Sequence, residues 1–137
     1  MPPEETEFVS EWLRKSDHDL AAAELSLRAD ETLPDIAAFH AQQAAEKALK
    51  GFLAAHGVPF RPTHNLVELL EQCLEVDAGF GSLRDDAAFL TRFAVQSRYP
   101  GTGPDPDDAV AADALERARK VFGFVHAGLE EHLQNGG

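Results

Sequence analysis

Four groups of residues in this 137-residue chain have the types and spacing that chemistry requires. His40, Gln43 and Lys47 recur at i, i+3 and i+7, which on a helix sets an imidazole, an amide and an ammonium in one row. That row suits a phosphate pocket or a polar network between helices; a solvent-facing strip has little use for His and Gln beside the aromatic Phe39. The adjoining row, Gln42, Glu46 and Lys50, carries a Glu-to-Lys pair in the favourable order and reads as a solvated helix face, worth roughly a few tenths of a kcal/mol per pair. In Thr63-His64-Asn65, Thr63 suits a helix N-cap and His64 then falls in the first turn. In Ser97-Arg98-Tyr99-Pro100, Arg98 offers a fork for phosphate or carboxylate, and Tyr99, the only tyrosine, can stack or donate a hydrogen bond. The alternative there is an arginine that offsets the negative end of a helix, with Tyr99 packed as a lid.

These groups need elements to hold them. Phe8, Val9, Trp12, Leu13, Leu20, Ala23 and Leu27 recur at three- and four-residue steps and predict an amphipathic helix over 8–28. Pro34 breaks it and opens a second helix, from about Asp35 to His56, which is alanine-rich and so lets a neighbour approach closely. Gly57 suits its C-terminal cap, and Pro59 and Pro62 keep the next residues extended.

A short helix with Leu66, Leu69, Leu70 and Leu74 on one face follows, ending near Val76. After a turn at Gly79 to Gly81, Leu83, Ala87, Leu90, Phe93 and Ala94 form a fourth helical stripe that stops at Arg98-Tyr99-Pro100. The Gly/Pro-rich stretch at 100–106 is a loop, and Asp107 and Asp108 suit the positive end of a last helix carrying Ala111, Ala114, Leu115, Ala118, Val121, Phe122, Val125 and Leu129. The expectation is one all-α domain over 1–137, an antiparallel up-and-down bundle of four long helices plus one short helix, frayed at 1–7 and 134–137.

Composition narrows the function. A net charge of −12, from 24 acidic and 12 basic residues, repels nucleic acid as a whole and argues against non-specific coating of DNA or RNA, while leaving room for a local phosphate site. The lone Cys73 forms no internal disulfide, and neither Cys/His spacing nor the adjacent acidic pairs suit a metal. The acidic start lacks the features of a signal peptide and no apolar run is long enough to cross a bilayer, so a cytoplasmic protein without membrane attachment is expected.

Taken in order, the Trp12–Leu20 start, Phe39-His-Ala-Gln-Gln-Ala-Ala-Glu-Lys-Ala-Leu-Lys-Gly-Phe-Leu53, Pro62-Thr-His-Asn-Leu-Val-Glu-Leu-Leu70 and Ser97-Arg-Tyr-Pro100 resemble the HEPN family, named for nucleotide binding in higher eukaryotes and prokaryotes. The resemblance implies a helical bundle, commonly a homodimer, often acting beside a small nucleotidyltransferase in a prokaryotic two-component, toxin–antitoxin-like pair. It implies that His40, Gln43, Lys47, His64, Arg98 and Tyr99 border a site for a nucleotide such as ATP, or for a partner, with no other cofactor and no metal. Many such proteins are metal-independent ribonucleases that use an Arg and a His with four to six residues between them. Here that pattern fails after Arg98 but is met by Arg119 and His126, which fall on nearly the same helix face. A nucleotide- or partner-binding module, a ribonuclease using Arg119 and His126, and a purely structural dimeric adaptor are the three readings that follow.

Overall fold

A computed structural model describes residues 3–94 and 104–136, with side-chain surroundings for 6–94 and 104–132. Arg98 and Tyr99, with the rest of the Ser97–Pro100 group, lie outside the described residues. The elements are α1 (Pro3–Arg28), α2 (Pro34–Ala55), α3 (Leu66–Val76), a 3-10 turn (Ala78–Leu83), α4 (Arg84–Thr91) and α5 (Asp108–Gly136). The described residues contain five α-helices and no strand, as the apolar periodicity predicts.

α2 is the central helix. Its alanines at 37, 38, 41, 44, 45 and 48 are completely buried, so backbones pack close on three sides of it. α1 crosses antiparallel: the Ser16 hydroxyl donates to the Ala44 carbonyl oxygen at 2.6 Å, and a Cβ added to Gly51 would stand only 3.0 Å from the Trp12 Cβ. α5 runs parallel to α2, since Thr32, just before α2, bonds Asp108 at the start of α5, and His56, just after α2, packs at a tilt against His132 near its end. α4 runs antiparallel to α5, with Phe80, just ahead of it, against Phe124 and Asp86 held by Arg117.

Local chemistry explains the helix ends. Pro34 occupies the first turn of α2, where its missing N–H costs nothing. At the other end Val58 N–H donates to the Leu53 carbonyl and Gly57 N–H to that of Ala54, with Gly57 at φ 68°, the left-handed turn that glycine adopts without a Cβ penalty. Asp107 caps α5 by accepting from Val110 N–H at 2.8 Å.

Two elements differ from expectation. The cap of α3 is Asn65, whose Oδ1 accepts from Val67 N–H, whereas the Thr63 hydroxyl accepts from Asn65 N–H just before it. Both side chains are capping types; Thr63 sets the turn and Asn65 ends it. The fourth stripe is not one continuous helix: Leu83 closes the 3-10 turn, α4 stops at Thr91, and Phe93 and Ala94 lie in turns beyond it.

Between the ends of α2 and α5 the His56 and His132 rings lie 4.2 Å apart, beside Asp77. Burial pushes the His56 imidazole below its ordinary value, the His132 charge pushes the same way, and Asp77 opposes both. Cys73 is fully buried beside the Leu49 carbonyl, and desolvation raises its thiol to about 12, which makes it an inert core residue. Among the described residues no three His, Cys, Asp or Glu side chains are grouped to hold a metal ion, and no helix is long and apolar enough to cross a membrane.

Candidate functional site

With α1 on one flank of α2, α3 and its preceding loop on the other, and α5 beneath, only a strip of α2 opens outward. His40, Gln43, Lys47 and Lys50 occupy that strip as half-buried residues. The predicted row therefore exists, but its chemistry is set by a residue that the row did not include. Asp19 of α1, 8% exposed, accepts from both members: its Oδ1 lies 2.8 Å from His40 Nδ1 and its Oδ2 2.6 Å from Lys47 Nζ.

The same arrangement occurs on the other flank. Glu46, 4% exposed, places Oε1 2.9 Å from His64 Nδ1 and Oε2 3.0 Å from Lys50 Nζ. Gln42, with no exposure, donates to Glu46 Oε1 at 3.1 Å and to the His64 carbonyl at 3.0 Å. The row Gln42, Glu46, Lys50 is thus not a solvated face. The loop that carries His64 covers it, and every buried polar group in it finds a partner, the condition under which such a network is tolerated in a core. Burial pushes the Glu46 carboxyl up, but hydrogen bonds from His64, Lys50 and Gln42 outweigh it and hold the group below the ordinary glutamate value.

Gln43 extends the Glu46 half. Its amide nitrogen donates to Gln42 Oε1 at 2.7 Å, so the chain of contacts runs from Gln43 through Gln42 to Glu46 and His64. The outward strip therefore carries two repeats of one device, a buried carboxylate gripping an imidazole through Nδ1 and an ammonium through Nζ. Each imidazole has its Nε2 left for another partner, and each ammonium has donors beyond the one its carboxylate uses. His64 is the more open of the two, with 64% of its side chain exposed.

Arg119 and His126 do lie on one exposed face of α5, as their seven-residue offset predicts. Their partners differ. Arg119 is held by Glu24 of α1 at 2.9 Å and by Glu116 one turn back, while His126 stacks on Phe122 with Glu130 at 3.7 Å. Two of the guanidinium's donors are thus engaged by carboxylates, whose charge offsets part of its attraction for a phosphate.

The match to the HEPN domain model extends over residues 9–131. The chain belongs to the HEPN domain family. The fold agrees: the crystal structure of TT1696 from Thermus thermophilus superposes with a TM-score of 0.74 at 30% identity, over 87% of this chain and 96% of that one. An archaeal HEPN homologue, ST0689, superposes with a TM-score of 0.69 at 24% identity, over 88% and 96% of the two chains. No curated protein matches. The HEPN match covers α1 to α5 and so includes Asp19, Glu46 and the histidines they hold.

Proposed function

We propose that this HEPN domain binds a nucleotide such as ATP on the outward face of α2, as a homodimer and in company with a small nucleotidyltransferase in a two-component, toxin–antitoxin-like pair. The observation that carries the nucleotide reading is the repeated carboxylate–imidazole–ammonium arrangement around Gln43. In a molecule of net charge −12, a phosphate is attracted by local donors and not by the overall field. Asp19 and Glu46 keep His40, Lys47, His64 and Lys50 in fixed positions, so those donors lose little side-chain entropy when an anion arrives. Because each ammonium shares its charge with a carboxylate, binding is modest in strength and weakens with salt. Arg98 and Tyr99 belong to the same proposal by resemblance.

Calorimetry with ATP at low salt tests the reading. Binding is expected in the parent, and about ten-fold weaker binding in Lys47→Ala/Gln43→Ala, the loss of one charge-assisted contact and a neighbour. A folded sample that gives no heat removes the nucleotide half and leaves the partner half to sedimentation with a nucleotidyltransferase.

A second reading, a metal-independent ribonuclease, rests on Arg119 and His126 sharing one exposed face. Given the two carboxylates on Arg119, mixed RNA including tRNA is expected to stay intact during incubation with the protein and a chelator. Cleavage by the parent that disappears in Arg119→Ala/His126→Ala would replace the binding reading with an enzymatic one.

A further inference from the structure

α1 faces the strip of α2 with a stripe of its own. Phe8, Trp12, Lys15 and Asp19 follow one another at steps of four, three and four residues, so they share one helix face. Asp19 meets His40 and Lys47 at one end of this stripe, and Trp12 packs on Gly51 towards the other. The two antiparallel stripes thus grade from polar at the Asp19 end to aromatic at the Phe8 end.

At the aromatic end Phe8, Glu11, Trp12 and Lys15 line a shallow notch. Phe8 is 55% exposed, its ring edge-on to the Trp12 indole at 6.0 Å, and the indole is edge-on to Phe60 at 5.6 Å. Lys50, from the Glu46 half of the polar strip, extends its ammonium to 5.3 Å above the Phe60 ring. A large exposed aromatic beside a tryptophan, rimmed by a lysine and continuous with a strip of phosphate-type donors, has the composition of a surface for a planar ring joined to an anion.

We propose that this notch takes the base of the nucleotide, stacked against Phe8 and the Trp12 edge, with the phosphates directed along the α1 stripe towards Lys15 and Lys47. The proposal rests on the nucleotide reading above and adds an orientation to it. The span fits: Trp12 and Asp19 are seven residues apart on α1, about 10 Å of helix rise, which a nucleoside triphosphate bridges. Glu11, paired with Arg14, sits on the notch rim, where its carboxylate faces ribose hydroxyls or a base amino group and keeps phosphate away from the aromatic end.

Trp12 is the only tryptophan, so its emission reports on this notch alone. The experiment titrates the full chain with ATP and with inorganic tripolyphosphate, following calorimetric heat and tryptophan emission in the parent, Phe8→Ala and Lys47→Ala. ATP should quench Trp12 and tripolyphosphate should bind without quenching. Phe8→Ala, an exposed position whose loss leaves the helical circular dichroism intact, should weaken ATP about ten-fold and leave tripolyphosphate unchanged, while Lys47→Ala weakens both. ATP that binds without quenching and with equal affinity in Phe8→Ala overturns the base assignment and leaves the nucleotide reading standing. Absence of heat with both ligands overturns the two together.

Discussion

Replacing Glu46 by alanine is expected to destabilise the domain by about 3–5 kcal/mol, the range for removing one partner of a buried ion pair. Three groups depend on this carboxylate at once. The Lys50 ammonium, 12% exposed, would lose its counter-ion, the completely buried Gln42 amide would lose one of its two acceptors, and His64 would lose the contact that sets its ring. Glu46→Gln keeps the shape and an acceptor oxygen and should cost less. Denaturant unfolding at neutral pH measures both, and a loss below about 1 kcal/mol for Glu46→Ala would show that the network relaxes into water.

The pH dependence supplies the sign. The folded Glu46 carboxyl lies below its ordinary value, so the unfolded chain binds the proton more readily. The stabilisation is present above the ordinary glutamate range and is lost as the pH falls through it towards the depressed folded value. In Glu46→Gln that part of the acid limb should flatten, whereas mutation of an exposed glutamate should leave it unchanged.

Why α2 was legible from sequence and its partners were not follows from distance along the chain. Pro34, the alanine run and Gly57 act within one or two turns, and they place the helix to within a residue. Asp19 acts on His40 and Lys47 from 21 and 28 positions away, through a helix crossing that no local pattern encodes. The row Gln42, Glu46, Lys50 has the spacing of a solvated ion-pair face, because i,i+4 geometry is the same whether or not a loop covers it. The signal that points inward is composition: Gln42 and Glu46 stand among alanines and leucines that are themselves buried on both sides, which leaves little of the helix for solvent. Asp86 is a similar case. It diverges from Asp85 as adjacent helical residues must, but it turns inward to hold Arg117 and Lys120.

Phe80 illustrates the same limit in the core and carries the other large expected effect. Flanked by Gly79 and Gly81, it reads as part of a turn, yet it is the largest completely buried side chain among the described residues. The glycine before it eases the close approach: a Cβ on Gly79 would stand 3.0 Å from Asp77 Oδ1 and 3.1 Å from Phe124 Cζ, so a side chain there would have to push both aside by a few tenths of an ångström. Asp77 fixes the turn by accepting from Gly79 N–H at 2.8 Å. The ring then meets Phe52 of α2 at 4.5 Å and Phe124 of α5 at 4.8 Å, which ties three elements at one point. Phe80→Ala is accordingly expected to cost about 3–5 kcal/mol in denaturant unfolding, transfer and cavity terms together. Phe80 lies on the side of α2 that faces α5, away from the outward strip, so ATP affinity of the folded fraction, measured well below the unfolding midpoint, should stay within about two-fold of the parent. A Phe80→Ala protein that keeps its stability would mean that Phe52 and Phe124 close the gap. One that stays folded but loses ATP would show that the α2–α5 contact sets the strip as well as supporting it.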